Sequence, residues 1–67
     1  MKKEINLPLI REKREKFHKT YSDMAEALGL SSREKYYRRE TGKYKFQAGE
    51  LPALAKELDI PLEKIFK

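Results

Sequence analysis

The chain has 67 residues, no cysteine, and a net charge of +5 from 16 Lys and Arg against 11 Asp and Glu. One small domain is expected; the missing thiols exclude disulfides, thiolate metal sites and cysteine nucleophiles, and fit a reducing cytosol. No apolar run approaches the roughly 18 residues of a membrane span, and the basic start before "INLPLI" lacks the apolar length of a signal peptide.

The positive charge is gathered in residues 1–20 and 33–45, on either side of a stretch whose charges are Asp23 and Glu26. Such a surface gains free energy by releasing the counterions condensed on a polyanion. The charge alone is equally compatible with a soluble basic protein that has no such partner.

The expected elements are all helical. "NLPLIREKREKF" places Leu7, Ile10, Arg14 and Phe17 at helical spacing, with Asn6 as cap and Pro8 where a missing N–H costs little. A first helix is expected over residues 7–17. In "TYSDMAEALG", Thr20 and Asp23 approximate a capping box, Met24, Ala25 and Leu28 form the apolar stripe, and Gly29 ends the helix. Leu30 can pack under the turn, and Ser31 or Ser32 can cap a third helix running to about Thr41, before Gly42. "KYKF" has no partner strand and reads as irregular. "QAGELPALAKELD" returns to helical spacing from near Ala48, with Pro52 in the first turn or so, and "IPLEKIF" gives a fifth short helix. The fold class expected is all-α, a five-helix compact bundle, with residues 1–67 as a single domain.

Catalytic chemistry finds little to work with. His18 is the one histidine and has no ligand partners or nucleophile at a recognisable spacing. The serines at 22, 31 and 32 stand where helices begin, which capping explains. Most acidic residues lie three or four places from a Lys or Arg, as ion pairs on a helix face do. No glycine-rich phosphate loop is present. No enzyme activity, cofactor or metal is expected.

Two short helices joined at Gly29 make a helix-turn-helix pattern, in which the second helix enters the DNA major groove. On a helical wheel Arg33, Glu34, Tyr37 and Arg38 share one side of the third helix, and Tyr36 and Glu40 the neighbouring one. Arginine can donate to guanine O6 and N7, and glutamate can accept from cytosine N4. Tyr36 is expected to face the core with its hydroxyl reaching out. Tyr37 is expected to be exposed, able to touch phosphate or a thymine methyl. Arg11, Lys13 and Lys16 read as a solvated face.

From about Leu7 to Phe66 the chain resembles the Cro and phage-repressor, or XRE-like, helix-turn-helix family. The stretches that carry the resemblance are "REKFHKTYSDMAEALGLS", "YYRRETGK" and "LPALAKELDIPLEKIF". Within them, Ala25 and Gly29 four residues apart, the Glu and Gly of "ETGK" and the closing "LAKELDIPLEKIF" are family features. The resemblance implies a lambda-repressor-like helix-turn-helix bundle that binds double-stranded DNA. It implies that Ser32, Arg33, Glu34 and Arg38 read bases, with Tyr37 beside them. It puts Thr20, Tyr21, Lys43, Tyr44 and Lys45 against phosphates, with Tyr21 standing where the family usually has a glutamine. Arg14 and Glu40 match an arginine–glutamate pair that ties the first helix to the end of the third.

The chain departs from the family pattern at three places. Gly29 to Glu40 is one residue longer than in the commonest members, as in a subgroup with an aromatic at the place of Tyr36. Arg39 occupies a usually apolar position, so that either its stem packs and its head reaches solvent, or the helix is rotated. Lys19 also replaces an apolar residue, and Phe17 or Tyr21 is expected to fill that space.

In so small a chain Leu62, Ile65 and Phe66 are hard to bury together, and the resemblance implies a homodimer through this end, matched to a palindromic operator. The resulting expectation is a small repressor or phage-type switch protein in a bacterial cytoplasm, with no second domain for a small-molecule effector. The alternative is a protein-interaction adaptor on the same fold, antitoxin-like or antirepressor-like, working through the apolar C-terminal surface.

Overall fold

The computed structural model describes residues 4–67, so Lys2 and Lys3 of the first basic block lie outside the described residues. It contains four α-helices: α1 Leu7–Lys16, α2 Tyr21–Ala27, α3 Arg33–Glu40 and α4 Leu51–Leu58. The expectation of five is corrected. "IPLEKIF" forms only a 3-10 turn, Leu62–Lys64, and a second 3-10 turn, Ala48–Glu50, leads into α4. The reason is room: the chain leaves Pro61 and must already be extended at Phe66, which forms an antiparallel bridge with Ile5. So few residues do not sustain an α-helical nucleus.

Each helix starts on a side-chain or backbone device written into the sequence. Asn6 Oδ1 accepts from the Leu9 N–H at 3.3 Å, and Pro8 sits in the first turn of α1. Thr20 and Asp23 bond each other's backbone N–H reciprocally, both at 3.0 Å, at the head of α2. Ser32 accepts from Lys35 N–H at 3.4 Å for α3. At α4, Pro52 falls within the first turn, where its missing donor costs nothing.

The ends share one geometry. A left-handed residue follows α1, α2 and α4: His18 at φ 56°, Gly29 at φ 73° and Asp59 at φ 52°. In each case the next residue's N–H returns to a carbonyl in the last turn: Lys19 to Arg14 at 3.0 Å, Leu30 to Ala25 at 2.8 Å, Ile60 to Ala55 at 2.9 Å. Of these three residues, Gly29 alone takes this conformation without steric cost. The reversal at His18 leaves Phe17 exposed, against its expected place in the apolar stripe of the first helix.

The core is drawn from every helix. Ile10, Met24, Tyr36, Leu54, Leu58 and Ile65 have no solvent exposure, and Ala25, Phe46 and Ile60 join them. Phe46 comes from the irregular "KYKF" stretch and packs edge-on to Tyr36, ring centroids 6.1 Å apart. The ends of the described chain close on each other, with Asn6 N–H donating to Ile65 O at 2.6 Å and Lys67 N–H to Glu4 O at 2.9 Å. This pairing places Ile65 inside. Phe66 is half-buried, and of the C-terminal apolar trio only Leu62 stays largely in solvent.

Candidate nucleic-acid interface

Helix α3 carries seven charged or tyrosine side chains beyond its first residue, and the fold sorts them by helical angle. Tyr36, Arg39 and Glu40 are buried; Arg33, Glu34, Tyr37 and Arg38 are exposed. A buried ionised group is costly unless it is paired, and each buried one here is paired.

Arg14 Nε donates to Glu40 Oε1 at 2.7 Å, and Arg14 Nη1 donates to the Lys19 carbonyl at 3.0 Å. Tyr36 donates its hydroxyl to the same Glu40 oxygen at 3.0 Å. Burial by itself pulls the Arg14 pKa down, but the hydrogen bond and charge of Glu40 outweigh it and leave the guanidinium above its usual value. Burial, then the adjacent Glu40 charge and hydrogen bond, push the Tyr36 phenol well up. This cluster fastens α3 to α1 in one orientation.

The Arg14 guanidinium also lies 4.5 Å from the centroid of the Tyr21 ring. Tyr37 meets that ring edge-on, with centroids 5.2 Å apart and planes at 78°. Tyr37 is therefore seated against α2 while 41% of it remains exposed. Arg33 and Glu34 are loosely paired at 3.8 Å, both far into solvent.

The remaining predicted contacts surround this face. Thr20 is exposed at the head of α2, and its hydroxyl, used as an acceptor in the cap, keeps its own hydrogen to donate. Ser32 has the same division of labour but is half-buried. Lys43, Tyr44 and Lys45 are exposed in the loop after α3, where Tyr44 N–H bonds back to Arg38 O at 3.1 Å.

The family model for helix-turn-helix proteins matches residues 10–65. The chain belongs to the Cro and phage-repressor, XRE-like, helix-turn-helix family. At this level it is a DNA-binding regulator of the XRE type, from a family that binds double-stranded DNA and is generally not enzymatic. No curated protein and no solved structure matches the chain. Among the described residues no helix is long and apolar enough to cross a membrane.

Both unusual side chains find partners that the sequence did not announce. Lys19 bonds Glu57 of α4 at 2.9 Å, and that carboxylate raises its pKa. Tyr21, not Phe17, packs against the neighbouring core. Arg39 neither reaches solvent nor forces α3 to rotate. Its guanidinium grips both Glu50 oxygens, at 2.9 and 3.1 Å, and donates to the Lys35 carbonyl at 2.9 Å. Glu50 is thus a residue that the sequence reading missed. The available signal was an arginine at an apolar position, which requires a carboxylate somewhere near it in space.

Proposed function

We propose that this chain is a sequence-specific double-stranded DNA-binding transcriptional regulator, a small repressor or phage-type switch protein acting by operator occupancy. The observation that carries the reading is the division of α3. Its inner face is fixed by Arg14, Glu40 and Tyr36, while Arg33, Glu34, Tyr37 and Arg38 stand outward with hydrogen-bonding groups available for base edges. Thr20, Tyr21 and the Lys43–Lys45 loop take the phosphate contacts, which set register without reading sequence. Ser32 divides its hydroxyl between the helix cap and a base or phosphate acceptor.

The working form is a homodimer on a palindromic operator, each copy presenting α3 to one half-site. Its contact is built on exposed Leu62 and the uncovered part of Phe66, because Ile65 is spent inside its own core. The same fact leaves the C-terminal surface small for an adaptor role.

Selection of bound duplexes from a random pool tests this directly. A palindromic consensus with half-sites about one helical turn apart is expected. Binding through about six phosphate contacts should weaken roughly a thousandfold between about 50 and 200 mM salt. Equal affinity for all duplexes, or a flat response to salt, would dismiss the reading.

A further inference from the structure

We infer that Arg39, which the fold keeps away from DNA, is the positioning residue for the phosphate-gripping loop that follows α3. The inference rests on the DNA-binding reading above.

Arg39 is the centre of a set of contacts that all end on that loop or its two flanks. On one side it is bound to α3 itself, through the Lys35 carbonyl at 2.9 Å. On the other it holds Glu50 in a two-point grip at 2.9 and 3.1 Å. Glu50 Oε1 in turn accepts from the Gln47 N–H at 3.0 Å, and the Gln47 side chain donates to the Lys45 carbonyl at 3.2 Å. The Tyr44 ring lies under the guanidinium, 4.6 Å from its carbon to the ring centroid. Lys43 and Lys45 therefore flank a tyrosine stacked on Arg39, and the second lysine's carbonyl is tied to the same network.

Stability alone does not call for this arrangement. A buried ion pair recovers little beyond its desolvation cost, and an apolar pair of similar volume is often as stable or more so. Arg39 is only 8% exposed and Glu50 is half-buried, so much of that cost applies. What the planar fork supplies, and an apolar side chain does not, is direction: bonds to α3, to Glu50 and to the Tyr44 face at once. A loop held ready loses less conformational freedom when it binds. Arg39 thus fixes where the Lys43 and Lys45 ammonium groups stand relative to α3, and couples the phosphate grip to the reading helix.

The test compares the whole chain with Arg39→Met/Glu50→Gln, which leaves no lone buried charge, and with Arg39→Lys, which keeps stem and charge but loses the fork. Binding is measured on a mixed-sequence duplex over a salt series, with and without Lys43→Ala/Lys45→Ala. In the parent, removing the two lysines should make the slope of log K against log salt shallower by about 1.8. The Met/Gln variant should lose most of that slope by itself, and removing the lysines in it should add little. Arg39→Lys should fall between the two. Amide hydrogen exchange at Tyr44 and Gln47 should quicken in both Arg39 variants. Full additivity of the lysine and Arg39 changes, with the parent slope retained, overturns the inference; so does unchanged exchange at Tyr44 and Gln47. A parent chain with no salt-dependent DNA binding would instead remove the functional reading, and the exchange measurement would still judge the Arg39 link on its own.

Discussion

The two faces of α3 are made of the same kinds of residue and are used in opposite ways. The inner face has an arginine, a glutamate and a tyrosine, and so does the outer. Inside, Arg39 is matched to Glu50, Glu40 to Arg14, and Tyr36 to Glu40. Outside, Arg33, Glu34 and Arg38 are exposed, and Tyr37 is held only by the edge of its ring. Burial makes the difference. Desolvation forces the inner charges to find partners within the chain, and water lets the outer ones wait for a partner from elsewhere. The inner face should therefore answer to stability measurements and the outer to binding measurements.

Glu40→Ala should break the comparison most severely. Arg14 would be left buried without its carboxylate, and Tyr36 without its acceptor. Losing one partner of a buried pair costs about 3–5 kcal/mol, a large part of the stability of so small a domain. Urea unfolding should show that loss, and DNA binding should fall with it because α3 is no longer fixed. A change under about 1 kcal/mol would mean that the Lys19 carbonyl, the Glu15 carboxylate 3.9 Å away and the Tyr21 ring together satisfy Arg14.

Arg38→Ala probes the outer face. Stability should stay within about 0.5 kcal/mol, because the Arg38 side chain is exposed and the bonds that end α3 on this residue use its backbone carbonyl, which the substitution keeps. Affinity for the selected duplex should fall by about 1–3 kcal/mol and preference at one base position should relax. Equal weakening on every duplex would make Arg38 a phosphate contact and shift the reading register along α3.

How far the sequence foretold this division depends on distance along the chain. The Thr20–Asp23 cap and the turns at Gly29 and Gly42 are local, and residue type within a few positions decides them. The alternation of Tyr36 and Tyr37 between core and surface follows from helical spacing. Arg39 with Glu50, and Lys19 with Glu57, join different elements, and no local pattern reports them. The bridge from Ile5 to Phe66 spans the described chain and is too short to leave an alternating signature. It is also what turned the expected fifth helix into a 3-10 turn and drew Ile65 inside. His18, which has no ligand partner or nucleophile at a recognisable spacing, takes the left-handed position that ends α1.

Tyr36→Phe sharpens the comparison without disturbing packing. It removes one donor from Glu40 and leaves Arg14 in place. The loss should be about 1.5–3 kcal/mol, the usual range for a hydrogen bond to a charged group such as the Glu40 carboxylate. Tyr37→Phe, on the outer face, should leave the melting temperature unchanged, since the edge contact with Tyr21 needs only the ring. A larger effect from Tyr37 than from Tyr36 would invert the assignment of the two faces.

The smallest effect is expected at the head of α2, where the cap is exposed. The Thr20 backbone and side chain hold the Asp23 carboxylate below its usual pKa. The favoured state is the ionised one, so this contribution to stability is complete above about pH 4, near the unfolded value. It is lost as pH falls through the lower folded value. Melting temperature should thus decline more steeply below about pH 4 in the parent chain than in Asp23→Asn, which keeps a capping oxygen but cannot titrate. Parallel acid limbs in the two proteins would show that the bond between Asp23 and the Thr20 N–H does not persist in solution, and that the Thr20 hydroxyl alone caps the helix.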